Sequence, residues 1–438
     1  MKPYHLVVPI AGRGQRMIDG GYPFPKPMLL AGHQTILDWS MQSVETSECE
    51  LTFVVRRDHV CHFAIDALLR RRYGDDVGLV VSDGDTGGSV ASVCLAAARI
   101  GDDRPLVVFC PDVTFTPRYV PRPEHFEEAG FLLTFKANSP NYSYVLHDAQ
   151  GYVERTAEKL VISDNASVGI YGFRSGRYFL ELAAAAMRKP PAYGKEYYVC
   201  PLYNEAIAGG GRVVSEGVEK LYVMGTPEEL GCFESVIWPY LVPRRFVLCS
   251  DHSGYETKEQ AKRLLEARQV PVLDVGCWSP RDCDYGDYVA EAVLAARKYP
   301  GTFVLGFCRS GQGVNIAANK HAGVRAALVA DEHYAELAIR HNAANFFSIP
   351  AGGMSADRLA RVLAILHTET FDGGRHQNRL MKIQGAPVHA TPPHPDDAQR
   401  LVHRPLPALR PDDRELRGRA PHLAEGLPRA AALPRQGH

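Results

Sequence analysis

The chain has 438 residues, which is enough for two or three domains with hydrophobic cores of their own. Its 49 basic and 50 acidic residues give a net charge of -1, which excludes the overall field that attracts nucleic acid or an anionic membrane. The ten cysteines lack short paired spacings, which argues against a zinc framework or a disulfide scaffold and favours reduced thiols in the cytoplasm.

The N-terminal segment, MKPYHLVVPIAGRG, contains an apolar run that is too short for a secretory signal. No later run approaches the roughly 18 apolar residues that a membrane-spanning helix needs. We therefore expect a soluble, cytoplasmic protein without a membrane partner.

Short apolar runs recur between helix-like stretches along the whole chain. They include YHLVVPI, LTFVV, VGLVVS and PLVVFC in the first half, and RRFVLC, VPVLDVG, TFVLGFC and RAALVA in the second. Such runs indicate parallel strands that crossover helices cover on both faces. The sequence therefore predicts an α/β fold with two Rossmann-like, three-layer αβα domains and mostly parallel sheets.

Two changes in composition divide the chain. The stretch ESVIWPYLVPRRFVLCSDHSG carries two prolines and an arginine pair before a new strand begins, which places a boundary near Val242 to Arg245. After Gln384 the sequence becomes rich in Pro, Arg and His, as disordered segments are. We predict domains at residues 1–243 and 244–385, and a disordered, solvated tail at 386–438.

A glycine-rich turn follows the first predicted strand in VVPIAGRGQRM. Gly12 and Gly14 would let backbone N–H groups approach phosphate oxygens, and Arg16 and Lys26 would supply positive charge. A tight connection between a strand and a helix, with no ligand, explains the same turn. The turn alone leaves both interpretations open.

Six motifs, of which this turn is the first, occur in order from Ala11 to Ile207, and GTPEEL follows at Gly225 to Leu230. The six are AGRGQRM, GYPFPKPML, TGGSVASV, VVFCPDVTF, AEKLVISDNASVGIYGF and YYVCPLYNEAI. As a set they resemble the sugar-phosphate nucleotidyltransferases over about the first 240 residues. The resemblance implies transfer of NMP from an NTP to a phosphorylated sugar or polyol, with release of pyrophosphate.

The resemblance also implies roles for single residues. Asp112, at a predicted strand end, would bind Mg²⁺, which prefers hard oxygen ligands. A carboxylate that caps the turn after a strand is the other interpretation of this residue. The implied nucleotide-binding residues fall into three groups: Gly12, Gly14, Arg16 and Lys26 would hold phosphates, Thr86 and Gly87 would lie by the base, and Lys159 would face the acceptor.

In-line attack on the α-phosphorus builds charge on phosphate oxygens, so cations and backbone donors can supply most of the catalysis. Many members of that family carry a second Asp just before G-T-P, but here this place reads YVMGTP, with Val223 and Met224. Either another acid such as Asp164 substitutes for it, or metal-dependent transfer is weakened.

In the second half, CRSGQGVNIAANK places the Cys308 thiol between a predicted strand and a predicted helix. Open α/β sheets bind ligands at such strand ends, and a helix N-terminus stabilises a thiolate. A lone cysteine is more often a small buried apolar side chain, and the thiol by itself favours that interpretation.

The surrounding motifs run from Cys249 to Arg379. They are CSDHSGYETKEQAKRLLE, VLDVGCWSPRDCDYGDYV, CRSGQGVNIAANKHAGVRAALV, IRHNAANFF and FDGGRHQNR. The set resembles the type B ribose-5-phosphate isomerases and the galactose-6-phosphate isomerase subunits. The resemblance implies that Cys308 takes the proton next to the sugar carbonyl, without a metal, and that a cis-enediolate is then reprotonated on the neighbouring carbon.

In this resemblance Ser310 and His341 help to open the sugar ring. Arg375 and Arg379 are spaced i, i+4, so they share a helix face and would grip a phosphate in the partner subunit's site, which implies a homodimer or a larger assembly. A helix-end histidine and a solvated helix face are the alternatives for His341 and for these arginines. The remaining implied substrate contacts are Asp251, His252, Tyr285, Gly311, Gly313 and Asn342.

Three residues depart from the isomerase pattern. Gly352 stands where many relatives have a phosphate-binding Arg, and Arg309 and Gln312 occupy a loop that usually has small or apolar residues. We expect an altered phosphate grip and a shifted substrate, either another sugar phosphate or a sugar that carries a nucleotide.

Together the two resemblances predict a bifunctional carbohydrate enzyme with NTP and sugar-phosphate substrates and no nucleic-acid partner. One activity would make the substrate of the other, and the product would be an NDP-sugar. The alternative is that only one domain is catalytic and the other binds a ligand or forms oligomers.

Overall fold

The computed structural model of the protein describes residues 2–191 and 193–384, with side chains as far as Ile383. These residues form two compact units, one made of 2–238 with 372–384 and the other of 239–371. The tail predicted at 386–438 lies outside the described residues. No helix among the described residues is long and apolar enough to span a membrane.

The first unit is built on strands whose side chains pack on both faces of a sheet. Leu6 and Val8 point into one apolar cluster, while Val7 points into a second cluster on the opposite face. All three are fully buried, as the predicted three-layer arrangement requires. The strands of this unit are β1 (Tyr4–Pro9), β2 (Leu30–Ala31), β3 (Gln34–Thr35), β4 (Cys49–Arg56), β5 (Gly78–Ser82), β6 (Leu106–Phe109), β7 (Val113–Thr116), β8 (Gly130–Lys136), β9 (Ser143–His147), β10 (Val153–Glu158), β11 (Asn165–Phe173), β12 (Val213–Gly217) and β13 (Lys220–Val223).

Helices cover this sheet and connect its strands. They are α1 (Gln15–Asp19), α2 (Ile36–Gln42), α3 (Arg57–Phe63), α4 (Ile65–Tyr73), α5 (Ser89–Cys94), α6 (Ala97–Ile100), α7 (Gly176–Ala186), α8 (Leu202–Ala208) and α9 (Pro227–Cys232). Short 3-10 turns lie at Lys26–Met28 and Pro123–Phe126, and a π-helical turn, Phe233–Ile237, leads into α10 (Trp238–Leu241).

The main sheet of the first unit is mixed. Its order is β10-β9-β11-β6-β1-β4-β5, with β8 beside β11 and β12 beside β8. Strands β6, β1, β4 and β5 are parallel, whereas β11 runs antiparallel to β6 and to β8. A separate antiparallel pair, β7 with β13, places Val113 opposite Val223. This pair brings two distant segments together at the carboxyl end of β6.

The second unit has a parallel sheet, as predicted, with the order β15-β14-β16-β18-β17 among the described residues. The chain leaves the end of β14 toward β15 on one side and the end of β16 toward β17 on the other side. The carboxyl ends of β14 and β16 therefore flank a topological switch point. The strands are β14 (Arg245–Ser250), β15 (Val272–Asp274), β16 (Thr302–Cys308), β17 (Ala326–Leu328) and β18 (Phe346–Pro350). The helices are α11 (Tyr255–Ala267), α12 (Tyr285–Ala296), α13 (Gln312–Ala318), α14 (Glu332–Arg340) and α15 (Ala356–Thr368).

The unit boundaries differ from the predicted domain boundaries at both ends. The second unit begins before residue 244 because Tyr240 donates its hydroxyl to the carbonyl of Ala344, within that unit. The last helix, α16 (Arg375–Gln384), packs with the first unit, although the predicted second domain extended to residue 385. The α/β class is confirmed for both units.

Candidate functional sites

The first unit contains a cavity of about 270 Å³. It lies where β6 meets β11 and where the β7–β13 pair begins. Its wall combines cations, carboxylates and a tyrosine, among them Arg16, Lys26, Asp112, Glu158, Tyr198 and Glu229.

The predicted glycine-rich turn brings its cations to this cavity. Gly14 adopts a left-handed conformation, with φ of 68°, and precedes α1, which carries Arg16. A Cβ on Gly14 would lie 3.4 Å from the Cβ of Lys26, so this turn packs against the start of the Lys26–Met28 helix. Lys26 Nζ donates to Asp112 Oδ2 at 2.8 Å. Three of the predicted residues therefore line one cavity, and Gly12 and Gly14 form the turn beside it.

A second carboxylate approaches Asp112, and it belongs to Glu229. A Cβ placed on Gly225 would lie 2.9 Å from Asp112 Oδ2 and 3.2 Å from Glu229 Oε2, so both oxygens face the same point. Glu229 is 6% exposed and its Oε2 accepts the N–H of Gly225 at 2.9 Å. Burial raises the pKa of Glu229 to about 7, and the Asp112 carboxylate adds to this rise, while Lys26 opposes it.

Glu229 was not among the residues predicted from the sequence, although a local pattern indicates the direction of its side chain. Thr226 caps α9 and its hydroxyl accepts the N–H of Glu229 at 3.2 Å. A Glu three residues after such a cap typically turns back toward the helix start. The acid that we considered instead, Asp164, is exposed, pairs with Lys136 at 2.9 Å and does not line the cavity.

The two carboxylates suit Mg²⁺ in their chemistry. Mg²⁺ commonly binds one or two carboxylates, keeps several waters and takes its remaining ligands from substrate phosphates. Asp112 and Glu229 offer that donor set. Residues 2–191 and 193–384 contain no group of three or more His, Cys, Asp or Glu side chains that could hold a metal ion by themselves.

The predicted acceptor residue, Lys159, does not line the cavity but contacts Tyr198, which does. Its Nζ donates to the Tyr198 hydroxyl at 3.1 Å and lies 4.8 Å from the ring centre of Tyr193. The neighbouring Glu158 does line the cavity and accepts the hydroxyl of Ser143 at 2.5 Å. Burial raises the pKa of Glu158.

The predicted base-binding residues lie in the loop between β5 and α5. The Thr86 hydroxyl shares a hydrogen bond of 2.5 Å with Ser92, and the Gly87 carbonyl accepts the N–H of Tyr197 at 2.9 Å. Neither residue lines the cavity, but Ser89 in the same segment does.

In the second unit, Cys308 ends β16 and is 4% exposed. Asp251 follows β14, the neighbouring strand, and is 8% exposed. Asp251 Oδ1 accepts the Ser253 hydroxyl at 2.7 Å, and the Ser253 oxygen accepts the backbone N–H of Arg309 at 2.9 Å. This chain of hydrogen bonds joins Asp251 to the residue that follows the thiol.

The turn after Cys308 depends on glycine. Gly311 has φ of 74°, and a Cβ there would lie 2.5 Å from Leu328 Cδ1. A Cβ on Gly313 would lie 2.6 Å from the ring of Tyr285, so this tyrosine packs against the turn. The Ser310 hydroxyl accepts the Gln312 N–H at 3.3 Å within the same turn. The structure therefore gathers Ser310, Gly311, Gly313 and Tyr285 beside the thiol.

The other predicted residues differ in where they lie. His252 directly follows Asp251, and its Nδ1 lies 3.1 Å from Asp282 Oδ1. His341 caps the end of α14, and Asn342 follows it as an exposed residue. Arg375 and Arg379 are exposed on α16, which packs with the first unit.

Gly352 has no room for a side chain. Its N–H donates to the carbonyl of Arg309 at 2.8 Å, and a Cβ would lie 2.9 Å from that oxygen. The same Cβ would lie 3.8 Å from Arg309 Cγ. The aliphatic stem of the exposed Arg309 thus lies beside the position where relatives have a cation.

Comparison with known proteins matches two parts of the chain to two family models. Residues 246–383 match the family model Ribose/Galactose Isomerase, and residues 7–206 match the model Nucleotidyl transferase. Ribose-5-phosphate isomerase B of Escherichia coli is 31% identical over 133 residues, which are 30% of this chain and 89% of that protein.

Two solved structures resemble the two halves. A nucleoside-diphosphate-sugar pyrophosphorylase from Vibrio cholerae is 26% identical, with 52% of this chain and 98% of that chain covered and a TM-score of 0.46. A ribose 5-phosphate isomerase from Thermotoga maritima is 34% identical, with 32% of this chain and 97% of that chain covered and a TM-score of 0.32.

Proposed function

The chain belongs to the ribose/galactose isomerase family, and from that premise we propose that it is a bifunctional enzyme, a sugar-phosphate isomerase in its second unit and a nucleotidyltransferase in its first. The isomerase would interconvert an aldose and a ketose phosphate. The transferase would join NMP from an NTP to a sugar phosphate and give an NDP-sugar. The observation that carries the proposal is the meeting of Cys308 and Asp251 at neighbouring strand ends, beside a turn that requires glycine at 311.

The proposed isomerisation begins with ring opening, which Ser310 and His341 assist. The Cys308 thiolate takes the proton from the carbon beside the carbonyl, and the electron pair of that C–H bond forms the enediolate double bond. The charge moves to the carbonyl oxygen, which backbone N–H groups of the turn stabilise. The thiol then returns the proton to the neighbouring carbon. The hydroxyl on the carbon that lost its proton gives its own proton to the former carbonyl oxygen and becomes the new carbonyl, so atoms and charge balance.

We assign phosphate binding in the second unit to Arg309 and His252. Gly352 has no side chain to supply a cation, and a Cβ at this position would lie 2.9 Å from the Arg309 carbonyl oxygen. Arg309 directly follows the proposed base and is exposed. A guanidinium is well suited to a phosphate because it donates two parallel hydrogen bonds. The Arg309 guanidinium would reach the phosphate from the turn after Cys308, not from position 352. The phosphate would therefore bind in a different place, and the substrate would differ from that of relatives with an Arg at position 352.

In the first unit, Arg16 and Lys26 would bind NTP phosphates and stabilise the charge that develops during in-line attack. Asp112 and Glu229 would hold Mg²⁺, which when bound neutralises phosphate charge. The Lys26 ammonium would leave Asp112 and turn to a phosphate oxygen. Glu229 would thereby supply the carboxylate that Val223 lacks.

The isomerase proposal is tested by deuterium uptake beside the carbonyl, followed by ¹H NMR in D₂O with a panel of aldose phosphates. We expect uptake with wild type and none with Cys308→Ala. Cys249→Ala is the matched control, since Cys249 is a fully buried thiol in the adjacent strand. Uptake that survives Cys308→Ala, in a folded variant, would show that another group is the base.

The transferase proposal is tested by pyrophosphate release from each NTP with the sugar phosphates that the first assay identifies. Release with one NTP and one acceptor is the expected result. If wild type releases none with any pair, the transferase proposal fails, and the alternative that the first unit binds a ligand or forms oligomers takes its place.

We also propose, from the isomerase family, that the second unit forms a homodimer. Light scattering of the full chain should give the mass of two chains or more. A mass of one chain over the concentration range of the activity assays would contradict this proposal.

A further inference from the structure

The segment 372–384 returns to the first unit and joins β13. The N–H of Gly374 donates to the carbonyl of Leu221 at 2.8 Å, and Gly373 forms a β-bridge with the same residue. A Cβ on Gly373 would lie 1.9 Å from the Leu221 oxygen, so only glycine fits this approach. At the same contact, Lys220 Nζ lies 3.8 Å from Asp372 Oδ1. The segment is therefore docked through its backbone.

Gln377, on α16, then completes the hydrogen bonding of Val223. Its Nε2 donates to the Val223 carbonyl at 3.0 Å, and its Oε1 accepts the Val223 N–H at 3.1 Å. The side chain is 0% exposed. Among side chains, a primary amide offers one donor and one acceptor at this spacing, so Gln377 takes the place of a neighbouring strand.

The residue that Gln377 holds is part of the cavity wall. Val223 lines the cavity, and the next residue, Met224, donates its N–H to the Asp112 carbonyl at 2.8 Å. Gly225 follows, with the Asp112 and Glu229 carboxylates beside its α-carbon. This strand end is thus hydrogen-bonded to both acids, to the Asp112 carbonyl through Met224 and to the Glu229 carboxylate through Gly225.

The same helix touches the cavity wall at a second point. Burial raises the pKa of Tyr142, which lines the cavity, and the Asn378 side chain opposes this rise, so Asn378 lies beside the Tyr142 hydroxyl. Two adjacent amides of α16 therefore contact two different parts of one wall.

We propose that α16 is a positioning element of the nucleotidyltransferase site, in which Gln377 fixes the strand end between Val223 and Gly225 and thereby the spacing of Asp112 and Glu229. This inference rests on the proposed function of the first unit. The sequence of α16 falls within the region that matches the isomerase family, so a segment of one family completes the site of the other. The two activities consequently cannot be separated by ending the chain before residue 372.

The test compares Gln377→Met and Gln377→Glu with the control Lys382→Ala, an exposed residue of the same helix. Met keeps the length and loses both hydrogen bonds, whereas Glu keeps an acceptor but repels the Val223 carbonyl. The readouts are kcat and KM for pyrophosphate release, Mn²⁺ binding by electron paramagnetic resonance with each of the four common NTPs, and deuterium uptake in the isomerase assay.

We expect kcat to fall and the Kd for Mn²⁺ to rise by about tenfold or more in both Gln377 variants, with little change in isomerase turnover and in Lys382→Ala. A purely structural role would lower Tm but leave the rate per folded molecule and the Mn²⁺ Kd unchanged, and that result would overturn the inference. If wild type binds Mn²⁺ and NTP but releases no pyrophosphate, the proposed function fails while the Mn²⁺ comparison still decides this inference. Absence of Mn²⁺ binding by wild type would also overturn it.

Discussion

The two units build their candidate sites in different ways. In the second unit, Cys308 and Gly311 come from one turn, and Asp251 comes from the end of the adjacent parallel strand. In the first unit, Asp112 and Glu229 come from distant segments that the antiparallel β7–β13 pair brings together. A site made from one turn is visible as a sequence pattern, whereas a site assembled by strand pairing becomes visible only in the fold.

Glu229 carries the carboxylate that only the fold reveals, and its removal tests how the first site is assembled. We expect Glu229→Gln to lower the kcat for pyrophosphate release by about 100- to 1000-fold, the usual size of losing one preorganised charge stabiliser. Isomerase turnover should remain unchanged. Asp164→Asn is the control and should stay near wild type, because Asp164 pairs with Lys136 at the surface. If Asp164→Asn lowered the kcat for pyrophosphate release instead, Asp164 rather than Glu229 would be the second acid of the site.

The turn of the second unit is tested by two glycines with nearly the same backbone conformation. Gly311 has φ of 74° and Gly323 has φ of 76°, but only at Gly311 would a Cβ meet the Leu328 side chain. Gly323→Ala should cost about 1 kcal/mol of the free energy of unfolding, from the left-handed conformation. Gly311→Ala should cost about 2–4 kcal/mol, because overpacking adds to this strain. Urea unfolding of the two variants checks the difference, and equal losses would contradict the described packing.

Arg309 offers a smaller and more local effect. If it binds the substrate phosphate, Arg309→Ala should raise the KM for the sugar phosphate about tenfold, the loss of one charge-assisted hydrogen bond, with kcat little changed. Lys298→Ala, at another exposed cation of the second unit, is the control. Steady-state kinetics with the substrate found by NMR would measure both. An unchanged KM in Arg309→Ala would assign the phosphate to other residues.

The smallest expected effect is a pH dependence that belongs to the first unit. Burial would raise the pKa of Asp102, but hydrogen bonds from Arg104 and His5 outweigh it and lower the pKa to about 2. Asp102 thus contributes stability above about pH 4, and this contribution is lost as pH falls toward 2. Its side chain is 43% exposed, so solvent screening keeps the contribution below about 1 kcal/mol.

Urea midpoints of wild type and Asp102→Asn between pH 2 and pH 5, values that bracket this titration, check the prediction. The difference between the two proteins should shrink as the pH falls. A difference that is constant with pH would show that the carboxylate charge does not stabilise the fold.

Sequence patterns predicted the α/β class of both units and the turn after Cys308. Apolar runs report burial on both faces of a sheet but carry no strand direction, so the antiparallel β11 in the first unit was not foreseen. The turn was predictable because its glycines, thiol and following helix are neighbours in sequence. Its role in catalysis stays a prediction.

The first site was predicted only in part, for a physical reason. Lys26 and Asp112 belong to local motifs, and they do meet. The sequence next to Val223 has no acid, which is why a carboxylate was thought to be missing there. Glu229 lies on α9, and its side chain turns back to the site. No sequence pattern indicated that Gln377 contacts the first site, because a buried amide acquires its partner only when residues far apart in the chain pack together.

The return of the chain to β13 has a consequence for biosynthesis. A ribosome that has completed residues 2–238 has not yet made Gln377, so Val223 lacks both of its hydrogen-bond partners on that side until the second unit has been translated. Domains near the N-terminus ordinarily fold first during synthesis. Here the hydrogen bonds between Gln377 and Val223, both in the earlier unit, can form only after the residues of the later unit have been made.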